Sequence, residues 1–90
     1  IAGMAEAFGL NCEIGTAGNS SLNAANLHMI CSIGNCDYYE WWMPAEAHQF
    51  GVIDHYRLNN RMMLDAPETP GLGCSLDEEW IGAHRIATLK

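Results

Sequence analysis

Ninety residues make at most one domain. Eleven acids against four Lys and Arg give a net charge of −7. That balance argues against nucleic acid, which needs clustered cations, and against anionic membrane surfaces. No apolar run approaches the ~20 residues of a spanning helix, and no signal-peptide pattern opens the chain.

A chain this short buries roughly 60–65% of the surface its unfolded form exposes. Yet 49% of its residues are hydrophobic. Part of that apolar surface is expected to pack against something absent from this sequence. Ile1 already stands inside a helical pattern, which favours reading the chain as a segment of a longer one.

Ile1, Met4, Ala5 and Phe8 share one face of a helix. Gly9 sits where a C-terminal cap belongs. Leu10 to Ile14 has the length of a strand. Residues 15–19 (Gly-Thr-Ala-Gly-Asn) are a loop by composition. Ser20 or Ser21 can cap the next helix, whose apolar positions are Leu22, Ala25, Met29, Ile30 and Ile33 and which Gly34 closes. Cys36 to Trp42 is a second strand, rich in aromatics.

The order is therefore helix, strand, loop, helix, strand. Tight helix-to-strand links alternate with a longer strand-to-helix loop, as in parallel α/β units whose functional loops follow the strands. Two parallel strands make no stable sheet alone, because parallel sheets are covered on both faces. The remaining strands are expected to lie outside this chain.

Beyond Trp42 the pattern changes. Met43 to Phe50 is irregular. Val52–Leu58 and Met62–Leu64 read as extended pieces joined by a turn at Asn59-Asn60. Pro67, Pro70, Gly71 and Gly73 mark an ordered loop. Ser75 and Glu78 form a capping box for a short helix ending near His84, with Trp80 and Ile81 on its buried face. The chain thus divides at residues 1–42 and 43–90.

Cys12, Cys31, Cys36 and Cys74 match no zinc-site spacing. Cys31 and Cys36 with His28 are compatible with a metal cluster. The simpler reading is buried thiols in a reducing cytoplasm. Gly15 and Gly18 lack the spacing and the Lys of a phosphate cradle. Glu13 either points inward to a polar site or pairs with a neighbouring base.

Asn26 to Met29, followed by Asn35 to Glu40, resembles the last helix and strand pair of the enolase-superfamily barrel, in its mandelate racemase and muconate lactonising branch. Pro70-Gly71-Leu72-Gly73 before an acidic helix start at Asp77 is similar to that family's C-terminal tail. The resemblance implies the C-terminal segment of a (β/α)8 TIM-type barrel: the end of the sixth helix, the seventh strand and helix, the eighth strand, and a tail that returns to an N-terminal capping domain.

The resemblance implies an enzyme that removes a proton α to a carboxylate, giving an enediolate held by Mg²⁺. Its metal ligands would come from the third to fifth strands, outside this sequence, so no residue here is assigned to the metal. Glu40, at a strand's C-terminal end, is the candidate catalytic residue. It could donate a hydrogen bond or proton to the intermediate if burial raises its pKa. Without the resemblance, Glu40 reads as a surface acid.

Asn19 and Ser20 are candidates for substrate binding, although Ser20 fits a helix cap as well. Trp42, on Glu40's side of the strand by alternation, is a candidate pocket wall, with Trp41 facing away. The family's catalytic His is absent. Alignment from the strand puts Gly15 at its position, and alignment from His28 puts Ser20 there. Dehydration of a hydroxy or sugar acid is therefore favoured over racemisation. A Lys base on the second strand lies outside the chain. His28 is structural by the same likeness, and His48, His55 and Arg57 read as tail groups remote from the barrel mouth.

The expected partners are a small carboxylate substrate and the rest of the barrel with its capping domain, and the family also allows a homo-oligomer. A reading of a different class is a small acidic module that binds a protein through Tyr38–Trp42.

Overall fold

The computed structural model describes residues 1–16 and 20–89, the side chain of Ser20 excepted. The helices are α1 (Ala2–Ala7), α2 (Ser20–Ser32) and α3 (Glu78–His84), with one 3-10 turn at Ala45–Ala47. No helix among the described residues is long and apolar enough to cross a membrane.

Helix α1 ends as its glycine predicts. Gly9 has φ +66, its N–H donates to the Glu6 carbonyl, and Leu10 N–H reaches back to the Ala5 carbonyl, both at 2.9 Å. These two bonds satisfy terminal carbonyls that the helix leaves over. Asn35 then ties the links together. Its Nδ2 donates to the carbonyls of Ala2 at 3.1 Å and Leu10 at 3.0 Å.

Residues 10–16 and 36–42 lie side by side. Cys12 N–H donates to the Asn35 carbonyl at 2.7 Å, Tyr38 N–H to Glu13 Oε2 at 3.2 Å and Thr16 N–H to Glu40 Oε2 at 3.0 Å. The partners advance in the same direction along both segments, so they run parallel. They are not the regular strands expected. Two of these backbone donors are taken by glutamate side chains instead of carbonyls, which interrupts a ladder.

Helix α2 buries a different face from the one predicted. Asn23, Ala24 and Leu27 are buried, while Leu22 is 50% and Met29 55% exposed. Its apolar residues surround most of its circumference, so periodicity alone does not choose a side. Ser20 and Ser21 fall within its first turn. The preceding residue, Asn19, lies outside the described residues.

The tail closes on itself. Val52 forms an antiparallel bridge with Leu76, flanked by Ile53 N–H to the Ser75 carbonyl at 2.9 Å and Asp77 N–H to the Gly51 carbonyl at 3.1 Å. This pairing overturns the Ser75 capping box. The Ser75 N–H donates to Asp54 Oδ2 at 3.0 Å, and the cap is Asp77, whose Oδ1 accepts Trp80 N–H at 2.8 Å. Trp80 is 36% exposed. It stacks on His84 at 3.9 Å and lies 5.4 Å from the Phe50 ring.

The turn predicted at Asn59-Asn60 is instead a loop over residues 60–62. Asn59 Oδ1 accepts Arg61 N–H at 2.9 Å and Met63 N–H at 3.1 Å. Met62 takes φ +58, and Asn59 N–H pairs with the Met63 carbonyl at 2.9 Å. This is a three-residue hairpin loop with its left-handed residue last. Val52–Leu58 is bent at Ile53-Asp54 and is not extended throughout.

Candidate functional site

Glu40 stands near the end of segment 36–42, and Thr16 grips it from the neighbouring segment. Thr16 N–H donates to Glu40 Oε2 at 3.0 Å, and the Thr16 hydroxyl donates to the Glu40 carbonyl at 2.6 Å. Thr16 is fully buried, so these bonds fix both the backbone and the carboxyl group of Glu40. Helix α2 braces the arrangement from behind, with Asn26 Nδ2 donating to the Gly15 carbonyl at 3.1 Å. A Cβ on Gly15 would sit 3.8 Å from Glu40 Oε2. The position that strand alignment equates with the family's His is thus beside Glu40, and it carries no side chain.

A cavity of about 20 Å³ lies against Glu40, lined also by Asn23, Trp41, Trp42, His48 and Tyr56. Trp42 shares it with Glu40, as alternation predicts, and is 45% exposed. Its ring lies 5.3 Å from that of His48. Trp41 lines the same cavity, contrary to the expectation that it faces away. The chain bends just beyond, at Met43-Pro44, and strict two-fold alternation fails there. Tyr38 is 73% exposed, whereas Tyr39 and Trp41 turn inward, so residues 38–42 present no single continuous aromatic face.

His48 is the clearest misplacement from sequence. It was expected far from Glu40, but the 3-10 turn at Ala45–Ala47 carries it into the same cavity. His55 and Arg57 are exposed, in line with surface groups. His28 Nε2 lies 3.2 Å from the Leu72 carbonyl and joins α2 to the tail, as a structural histidine would. Asn19 lies outside the described residues, as does the Ser20 side chain.

Sequence reasoning passed over Thr16, Asn23 and Tyr56. Thr16 had one local signal, a β-branched residue just past an extended run. Nothing local marks the other two. Burial pushes the Tyr56 phenol up to about 12, helped by the nearby Cys74, Tyr39 and Asp54.

Glu13 pairs with no base among the described residues. Its carboxylate accepts from Cys36 Sγ at 3.2 Å, Tyr38 N–H at 3.2 Å and Asn11 Nδ2 at 3.5 Å. The Cys36 thiol contact, with the Tyr38 N–H, holds it below its ordinary value of 4.5. Burial, with Glu13 beside it, pushes the Cys36 thiol up. Cys36 is thus a neutral donor and not a reactive thiolate. All four cysteines are free. Among the described residues no three His, Cys, Asp or Glu converge as metal ligands.

A model of the enolase C-terminal domain-like family matches residues 1–80. A solved chain described as a mandelate racemase/muconate lactonizing enzyme from Pseudovibrio sp. superposes with a TM-score of 0.85 at 29% sequence identity. The match covers 96% of this chain and 23% of that one. No curated protein matches. The superposition supports a segment of that class's barrel domain in outline, although regular strands are not among the described elements. The span of the family match, with this superposition, shows that the chain belongs to the enolase C-terminal domain-like family, among the mandelate racemase and muconate lactonizing enzyme-like members of the enolase superfamily.

Proposed function

We propose that this chain is the C-terminal barrel part and tail of a Mg²⁺-dependent enzyme that abstracts a proton α to the carboxylate of a hydroxy or sugar acid. Residues 1–42 would supply the last barrel units and residues 43–90 the tail. The single observation that carries the reading is Glu40, clamped by buried Thr16 at a segment end, within a chain of this family.

Glu40 acts as the acid. Its Oε2 accepts the Thr16 N–H, so a proton on the carboxyl group resides on Oε1, where it can be donated to the developing enediolate. Glu40 is exposed in this chain, and the rest of the barrel and its capping domain would bury it and complete the pocket. Many large apolar side chains, among them Ile1 and Phe8, are exposed here as well, which fits surfaces meant for such covering. Asn19, Ser20 and Trp42 would line the substrate side.

The described residues do not themselves fit a metal site. Mg²⁺ would be held by residues outside this chain and would supply positive charge to the substrate carboxylate side of the pocket. Dehydration is favoured over racemisation because Gly15 offers no base beside Glu40. Free thiols fit a cytoplasmic setting.

The test is NMR of the full-length protein with Mg²⁺ and a panel of hydroxy and sugar acids in D₂O. Loss of the α-proton with formation of a 2-keto, 3-deoxy product supports the proposal. Deuterated, inverted substrate would favour racemisation. Neither exchange nor turnover on any acid would remove the proposal.

A further inference from the structure

We propose that the cavity beneath Glu40 is a built site for one water molecule, bridging Asn23 Oδ1 of α2 and the Tyr56 hydroxyl of the tail. Both atoms are buried and neither has a hydrogen-bond partner among the described residues. Asn23 as a whole is 7% exposed. Both residues line the same cavity of about 20 Å³.

A buried polar atom without a partner costs about 1–3 kcal/mol, so two such atoms on residues that line one small cavity point to an occupant that serves both. The volume selects which. A cavity needs roughly 10–15 Å³ to hold a water, whereas ligand pockets run to roughly 300 Å³ or more. One water fits and a sugar acid does not.

The hydrogen bonds also balance. The Tyr56 O–H donates to the water oxygen. The water donates one hydrogen to Asn23 Oδ1 and keeps a second for another group on the cavity wall. A chloride or other anion could not donate to Asn23 Oδ1, and an apolar group would leave both atoms unpaired.

The water joins elements otherwise distant in sequence. Asn23 follows the loop after segment 10–16, and Tyr56 follows the 3-10 turn that carries His48. The site therefore fastens the tail against the barrel segment on the side where Glu40 stands. It does not depend on Glu40 being the acid, so the two proposals fail separately.

The experiment is a high-resolution crystal structure of the full-length protein and of its Tyr56→Phe variant, with thermal unfolding of Tyr56→Phe, Asn23→Leu and the double variant. The expected result is one water peak within about 3.2 Å of both atoms, lost in Tyr56→Phe, and a fall in Tm for the double variant clearly smaller than the sum of the single falls. A side chain from elsewhere in the protein occupying the cavity would overturn the proposal, as would a dry cavity or additive Tm losses. Should Asn23→Leu not fold, the density in the wild type and in Tyr56→Phe decides alone.

Discussion

Thr16 holds Glu40 at two points, N–H to Oε2 at 3.0 Å and hydroxyl to the main-chain carbonyl at 2.6 Å. The second bond can be removed without changing side-chain shape. Thr16→Val leaves the Glu40 carbonyl without its donor in a fully buried setting. Denaturant unfolding of the full-length protein should show a loss of about 1–3 kcal/mol. Turnover should fall roughly 10- to 100-fold as the Glu40 main chain loses its anchor and shifts the carboxyl group with it. Thr16→Ser, which keeps the hydroxyl, should recover most of both.

The tail loop gives a sharper steric contrast. Gly73 has φ +70, and a Cβ there would overlap the Pro67 ring. Gly73→Ala should destabilise by roughly 2–4 kcal/mol, from left-handed strain and overlap together. Gly71 has φ +76, with open space around its Cβ position. Gly71→Ala should cost only about 1–2 kcal/mol. Paired thermal melts check the difference.

Capping can be assigned by a similar pair. Asp77→Ala removes the acceptor for Trp80 N–H and should cost about 1 kcal/mol. Ser75→Ala removes a hydroxyl that caps nothing and should leave stability within about 0.5 kcal/mol. Reversed magnitudes would restore the capping box that the sequence alone suggests.

Glu13 predicts a pH dependence. The Cys36 thiol and the Tyr38 N–H lower its folded pKa below the ordinary 4.5. Its contribution to stability is therefore complete above the unfolded value and is lost as pH falls through the lower, folded one. Midpoints of urea unfolding measured downward from pH 6 should decline in the acid range, and Glu13→Gln should flatten that decline. An unchanged profile in the variant would show that other carboxylates carry it.

The parts legible in the sequence are those decided locally. Gly9 ends α1 because one residue's φ and two neighbouring carbonyls suffice. Ser75 misled because its N–H and carbonyl were committed to residues 53 and 54, contacts more than twenty positions away. Asp77, two residues on, was left to cap the helix. The buried face of α2 was misread because a helix apolar on most sides is oriented by what packs on it. Glu40 was singled out through family likeness, whereas His48, Asn23 and Tyr56 reach its cavity only through tertiary folding.

The central claim is that Glu40 is the acid of an enolase-superfamily active site. The most direct measurement is kcat of Glu40→Gln in the full-length protein, alongside its melting temperature. The account predicts a fall of roughly 10²–10⁴-fold, with the melting temperature near that of the wild type, because a glutamine can still accept the Thr16 N–H. A kcat within about twofold of the wild type would contradict it.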